Sequence, residues 1–231
     1  MLKIEKTVLP SPEQWQIIIE GMRNPMNSWD KSDSHKTHVC DTETMQEADF
    51  EFFVGEADHK LMSSLANGGA VHAKYRRMIP VFLTINAPLY WWKEFDTYKV
   101  GTVANSCSTM HKIHSKEFTL DDFSHEHLTS FEQDGELCLD WLDDLEDLID
   151  ALNLARGLYL LRKDKKYWWQ MIQLLPSSYN QKRTVMLNYE VLVNIYHSRK
   201  NHKLDEWAEF CKWIETLPYA KGLIYDVGNG V

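Results

Sequence analysis

Asn188, Asn194 and Arg199, set behind a Leu175-Pro176 pair and followed by Glu206, form the clearest chemical pattern in this sequence. Leu187, Val191, Leu192, Ile195 and Tyr196 recur at steps of three and four, which predicts a helix over Leu187 to Arg199 with one apolar face. On such a helix Asn188 and Arg199 fall on nearly the same side, about 16 Å apart, with Asn194 on a neighbouring face. Guanidinium forks bind anions and carboxamides read imide edges, so the set suits a planar heterocycle that carries a phosphate. The bland alternative is a solvated polar face whose terminal Arg favours the helix dipole.

A second group lies between Tyr98 and His114. Gly101, Thr102, Asn105, Ser106, Ser108 and Thr109 stand there with Lys99, His111 and Lys112 nearby. Backbone amides, hydroxyls and cations are what a phosphate needs, although an ordinary surface connection has the same composition. A third group, His35, His38, Cys40 and Asp41, has metal-ligating side chains, but its spacing matches no strong template and no metal site is expected. The acidic run Asp140, Asp143, Asp144, Asp147 and Asp150 reads as a solvated face with no catalytic role.

The elements that must position these groups are mixed. Met1 to Val8 alternates as a strand, and Ser11-Pro12-Glu13 opens a helix carrying Trp15, Ile18, Ile19 and Met22. Arg23 to Thr44 reads as a long polar loop. Glu56 to Leu65 reads as a helix closed by Asn67-Gly68-Gly69, and Met78 to Ile85 as an apolar strand ended by Asn86-Ala87-Pro88. An aromatic helix follows over Leu89 to Tyr98. Glu136 to Arg162, Lys166 to Leu174 and Leu204 to Leu217 read as helices, and Gly222 to Val231 as a loose tail.

Composition limits the partners. The 231 residues suffice for one sizeable α+β core, read here as a single domain over 1–231. With 34 acidic against 25 basic residues and a net charge of −9, general binding to a nucleic-acid polymer is not expected, while a local anion site remains open. Cys40, Cys107, Cys138 and Cys211 form no C-x-x-C pair, which fits reduced thiols in a cytoplasmic protein. No apolar run approaches about 18 residues, so no membrane partner is expected. Nine Trp and ten Tyr suggest stacking surfaces or a large subunit interface.

The carboxy-terminal pattern resembles the flavin-dependent thymidylate synthases, in which a Leu-Pro pair leads through an extended segment to an Asn-x5-Asn-x4-Arg helix and then a glutamate-bearing helix. Leu175-Pro176, Asn188, Asn194, Arg199 and Glu206 stand in similar places. Upstream, His72, the strand Pro80 to Ile85, Ala87-Pro88 and the aromatic helix resemble that family's elements in order and length. The following segment departs from the family's Arg-His-Arg-x3-Ser-x-Asn-Glu-x-Ser-x-Arg-Tyr motif. Asn105 and Ser108 survive, Lys99 stands for one Arg if a residue is inserted, Ser106 replaces the Glu and Met110 the last Arg. Ile172 occupies the place of the family's Arg before Leu-Pro. The match in order of elements runs over roughly residues 56 to 217.

The resemblance implies an α+β fold with an antiparallel-type sheet flanked by long helices. It also implies an enzyme that transfers a one-carbon group to C5 of a pyrimidine deoxynucleotide, of the dUMP to dTMP type, without a protein nucleophile. FAD would contact His72, Lys99, Asn105, Asn188 and Asn194; the nucleotide would contact Ser106, Ser108 and Arg199, with Arg199 polarising the ring carbonyl as the catalytic residue. NADPH and methylenetetrahydrofolate would be co-substrates, and the assembly a homotetramer. Lys112 or Arg23 would stand in for the lost cations. Two alternatives are a non-catalytic nucleotide-binding module of the same fold and a partner-binding oligomer without a small ligand.

Overall fold

A computed structural model describes residues 1–38, 50–134 and 136–227. In chain order these residues form β1 (Lys3–Val8), α1 (Pro12–Arg23), β2 (His35–His38), β3 (Phe50–Phe53), α2 (Glu56–Asn67), β4 (Pro80–Pro88), α3 (Leu89–Phe95) and β5 (Val103–Ser106). They continue with β6 (Ser130–Gln133), β7 (Glu136–Asp140), α4 (Trp141–Arg162), α5 (Lys165–Leu174), β8 (Asn180–Asn188), α6 (Tyr189–Arg199) and α7 (Asp205–Glu215). One sheet has the order β1-β4-β8-β5, and β2–β3 and β6–β7 are antiparallel pairs. The architecture is α+β, with antiparallel sheet and long helices. Central β4 and β8 alternate buried and open positions, whereas the outer strands β1 and β5 are mostly exposed. The Lys3, Glu5 and Lys6 charges of β1 discourage further pairing at that edge.

The chain divides into two compact units, each drawn from three segments. The first comprises 1–5, 84–97 and 104–184; the second comprises 6–83, 98–103 and 185–231. Because the chain passes between them repeatedly, no linker composition marks a boundary.

In the first unit α4 and α5 pack together over a core of Ile113, Phe118, Phe123, Leu145, Ile149, Leu152 and Met171. The sequence pattern predicts this helix from Glu136, whereas it begins at Trp141. Asp140 accepts from the Leu142 amide at 2.9 Å and caps the helix, and the residues before it pair as β7 with β6. Cys138 and Trp141, which a helix from Glu136 would carry on one apolar stripe with Leu142, Leu145 and Ile149, are exposed. Aromatic α3 follows β4 directly, with Trp91, Trp92 and Phe95 buried. Its first amides donate outside the helix, Leu89 to the Tyr179 carbonyl and Tyr90 to that of Ser177, both at 3.0 Å.

In the second unit Ser11 and Gln14 form a reciprocal cap on α1, as the Ser-Pro opening predicts, and Trp15, Ile18, Ile19 and Met22 are buried. Three expectations are corrected here. The stretch after Arg23 is not a plain loop, since it holds two 3-10 turns, Asn24–Met26 and Trp29–Lys31, and then β2; residues 39–49 lie outside the described residues. Arg23 is 3% exposed and donates through Nε to Asp58 Oδ1 at 2.5 Å, so it is not available to bind a ligand phosphate. The supposed loose tail also packs: Lys221–Tyr225 make a π-helical turn with Leu223 and Ile224 buried. The Leu223 carbonyl accepts from Arg76 at 3.2 Å. Residues 228–231 lie outside the described residues. No helix among the described residues is long and apolar enough to cross a membrane.

Candidate functional site

The first unit contains a cavity of about 610 Å³ built around the start of β8 and the segment after β5. Asn180, Gln181 and Lys182 come from β8, and Cys107, Ser108, Thr109 and Lys112 from the segment. Glu5, Asn86, Lys116, Asp122 and Tyr179 also line it. The Ser108 hydroxyl oxygen accepts from the Met110 and His111 amides at 3.3 and 2.9 Å, which folds the segment back on itself. Its own proton is left to donate.

Charge in the cavity favours an anion. Lys182 pairs with Glu5 at 2.7 Å and Lys116 pairs with Asp122, while Lys112 has no ion-pair partner among the described residues. Three ammonium groups against two carboxylates leave one positive charge. Burial, reinforced by the nearby Asp122 and Cys107, pushes the Tyr179 phenol above its ordinary pKa, so it stays a donor at neutral pH. Hydroxyls, carboxamides and an unpaired ammonium together can hold a phosphate with a polar ring attached.

In the second unit Arg199 closes α6. Its Nε donates to Tyr98 Oη at 2.9 Å, and its guanidinium lies 4.8 Å from the Trp207 ring centroid and 5.7 Å from that of Tyr98. An aromatic setting of this kind aligns a guanidinium through its flat face. Asn188 does not belong to the helix as expected, because the helix begins one residue later. It ends β8 and caps α6, accepting from the Val191 amide at 3.1 Å. Gly101, at φ +80°, lies against it: a Cβ there would stand 3.0 Å from Asn188 Nδ2 and 3.2 Å from Val191 Cγ2. The neighbouring Thr102 Oγ1 is buried with no hydrogen-bond partner among the described residues.

The other expected site residues are placed as follows. Asn194 is an exposed residue of α6, and His72 and Lys99 are exposed in the second unit, His72 in the turn after α2. Asn105 and Ser106 are exposed on β5, in the first unit with Ser108. Only Ser108 among them lines the cavity. His72, Lys99, Asn188 and Asn194 carry ring, ammonium and carboxamide groups and no carboxylate, a donor set that suits an anionic flavin cofactor. Of the third group, Cys40 and Asp41 lie outside the described residues. The His35 ring packs 5.4 Å from that of Phe53, and among the described residues no three His, Cys, Asp or Glu side chains are placed to hold a metal.

Sequence reasoning missed Lys182, Lys116, Gln181 and Tyr179. One signal was present, the polar run Asn180-Gln181-Lys182-Arg183 shortly after the Leu-Pro pair, where a buried strand would be apolar.

No family model matches the sequence, and no curated protein matches it. Solved structures do. A crystal structure of ThyX from Helicobacter pylori with FAD and dUMP superposes with a TM-score of 0.62 at 15% identity, over 97% of this chain and 97% of that one. A second, of the flavin-dependent thymidylate synthase ThyX of the same organism complexed with FAD and dUMP, gives 0.62 and 15% over 97% and 98%. A UMP/dUMP methylase, PolB from Streptomyces cacaoi bound with 5-Br dUMP, gives 0.57 and 13% over 98% and 96%. The chain therefore has the fold of these proteins along nearly its whole length.

Proposed function

We propose that this chain, folded like the flavin-dependent thymidylate synthases, is a divergent enzyme of that family that transfers a one-carbon group to C5 of a pyrimidine deoxynucleotide, in the manner of dUMP to dTMP. The observation that carries the proposal is the cavity around Ser108, where Lys112, without an ion-pair partner among the described residues, meets the segment that stands in the place of the family's nucleotide motif and keeps its Asn and Ser as Asn105 and Ser108. Ser108 and Lys112 hold the phosphate, with Lys182 beside them, so that lysines replace the arginines missing at Met110 and elsewhere. Ser106 stays a substrate contact by its motif position.

The remaining roles rest on motif position and not on any measured distance. Arg199 polarises the pyrimidine carbonyl, its guanidinium oriented by Tyr98 and Trp207. FAD is held by His72, Lys99, Asn105, Asn188 and Asn194, and when bound supplies the hydride chemistry. NADPH and methylenetetrahydrofolate are the co-substrates by resemblance, and a homotetramer is the proposed assembly. The exposed Trp29, Trp141 and Trp169 are suited to subunit contacts.

A second reading, a non-catalytic nucleotide binder, is favoured by two observations. The acidic motif position is Ser106, and the Asn188 side-chain oxygen Oδ1 is already engaged in capping α6.

Titrating the purified protein with FAD and then dUMP separates these readings. The enzyme reading predicts visible flavin bands that stay with the protein through gel filtration and shift when dUMP is added. A protein that binds dUMP but retains no flavin supports the second reading and overturns the first.

A further inference from the structure

We infer that Arg183 is a positioning residue for the nucleotide cavity, acting through the Gln181 carboxamide on the Cys107-Ser108 segment. The inference rests on the nucleotide reading of that cavity. Arg183 lies on β8, two residues from Gln181, and three groups hold its guanidinium. It stacks 4.3 Å from the centroid of the buried Trp92 ring, its Nη1 donates to Asp96 Oδ1 at 2.7 Å, and its Nε donates to Gln181 Oε1 at 2.9 Å. The Arg183 side chain is only 13% exposed.

A guanidinium has donors and no acceptor, so it tolerates only the oxygen end of a carboxamide facing it. With Gln181 Oε1 turned to Arg183, Nε2 points the other way and donates to the Cys107 carbonyl at 2.7 Å. A flipped amide would set NH2 against the guanidinium and oxygen against oxygen, losing both bonds. Gln181 is buried, 6% exposed, so water offers little compensation. Its backbone is held too, the carbonyl accepting from Trp92 Nε1 at 2.9 Å, and the next carbonyl, Lys182, accepts from the Cys107 amide at 2.9 Å. Cys107 is thus clamped on both its backbone groups. The following residue is Ser108, the hydroxyl of the cavity. A displacement there moves the phosphate contact, and small misplacements cost affinity and rate steeply.

The test uses Arg183→Met, Arg183→Lys and Gln181→Glu. Gln181→Glu keeps the shape and the bond to Arg183 but turns an acceptor toward the Cys107 carbonyl. Amide hydrogen exchange over residues 104–112 is read without nucleotide, and the dUMP dissociation constant by calorimetry. In all three variants the expected result is faster exchange confined to 104–112, unchanged exchange in the α4–α5 core, and dUMP affinity lower by about tenfold or more. Arg183→Lys groups with Arg183→Met, because a lysine keeps the charge but not the fork.

Wild-type exchange over 104–112 in Arg183→Met would overturn the inference, as would loosened exchange with wild-type dUMP affinity. If the unmodified protein binds no dUMP, the nucleotide reading fails by itself, and the exchange result still decides whether Arg183 orders the segment.

Discussion

Replacing Asp58 by Ala is expected to lower stability by about 3–5 kcal/mol, because it strands a buried guanidinium. Asp58 is fully buried on α2 and accepts five hydrogen bonds. Oδ1 takes Arg23 Nε, and Oδ2 takes the Ser32 and Ser34 hydroxyls at 2.7 Å and the Asp33 and Ser34 amides at 3.2 and 3.1 Å. Arg23 in turn donates to the carbonyls of Ser28 and Lys31. Asp33 accepts from the Ala57 and Asp58 amides at the start of α2, so the cluster ties that helix to the end of α1. For a chain of this size the loss corresponds to a melting temperature lower by roughly 6–20 °C. A melt within a degree or two of the unmodified protein would contradict the assignment.

The cluster also sets an acid limit. Burial raises the Asp58 pKa, but hydrogen bonds from Ser32, Ser34 and Arg23 outweigh it and hold the carboxyl below its ordinary value. Its folded pKa is therefore lower than its unfolded one, about 3.9, so the stabilisation is present above about pH 4 and is lost as pH falls through the folded value. The difference in melting temperature between the unmodified protein and Asp58→Ala should accordingly be full at neutral pH and shrink in strongly acidic buffer.

The second large effect belongs to the cavity. Lys112→Ala is expected to weaken dUMP binding by about 1.5–3 kcal/mol, roughly ten- to a hundredfold, since a charge-assisted contact to phosphate is removed. Ser108→Ala lowers affinity further. The double variant is expected to lose about two powers of ten or more, though not the full product if both groups contact one phosphate. Calorimetric titration with dUMP measures each step. Unchanged affinity in Lys112→Ala would place the phosphate elsewhere. The stability of the variants should be near that of the parent, because both residues are exposed.

Much of the fold was legible because local signals and tertiary packing agree. The Ser11 cap, the apolar stripe of α1, the aromatic run of α3 and the Trp207, Phe210, Cys211 and Ile214 face of α7 all lie where spacing places them. The errors have a common source. Cys138 stands three, four and seven residues before Trp141, Leu142 and Leu145 and so fits a helical stripe, but pairing with β6 and the Asp140 cap prevail. Leu187 continues the apolar steps of α6 yet belongs with Asn188 to β8, because Asn188 caps the helix with its side chain. Nothing local distinguishes Arg23 from a solvent-facing helix end; its partner is 35 residues away. The cavity behaves alike, with Ser108 readable from its motif, whereas Lys182, Gln181 and Arg183 gain meaning only when β8 is set beside the 107–108 segment.

Chemistry at C5 of the pyrimidine is read by tritium release from dUMP labelled at C5. With FAD, NADPH and methylenetetrahydrofolate present, tritium is expected in water at a rate that follows enzyme concentration and falls steeply in Arg199→Ala. A protein that binds both FAD and dUMP yet releases no tritium would contradict it, leaving a nucleotide-binding module of the same fold.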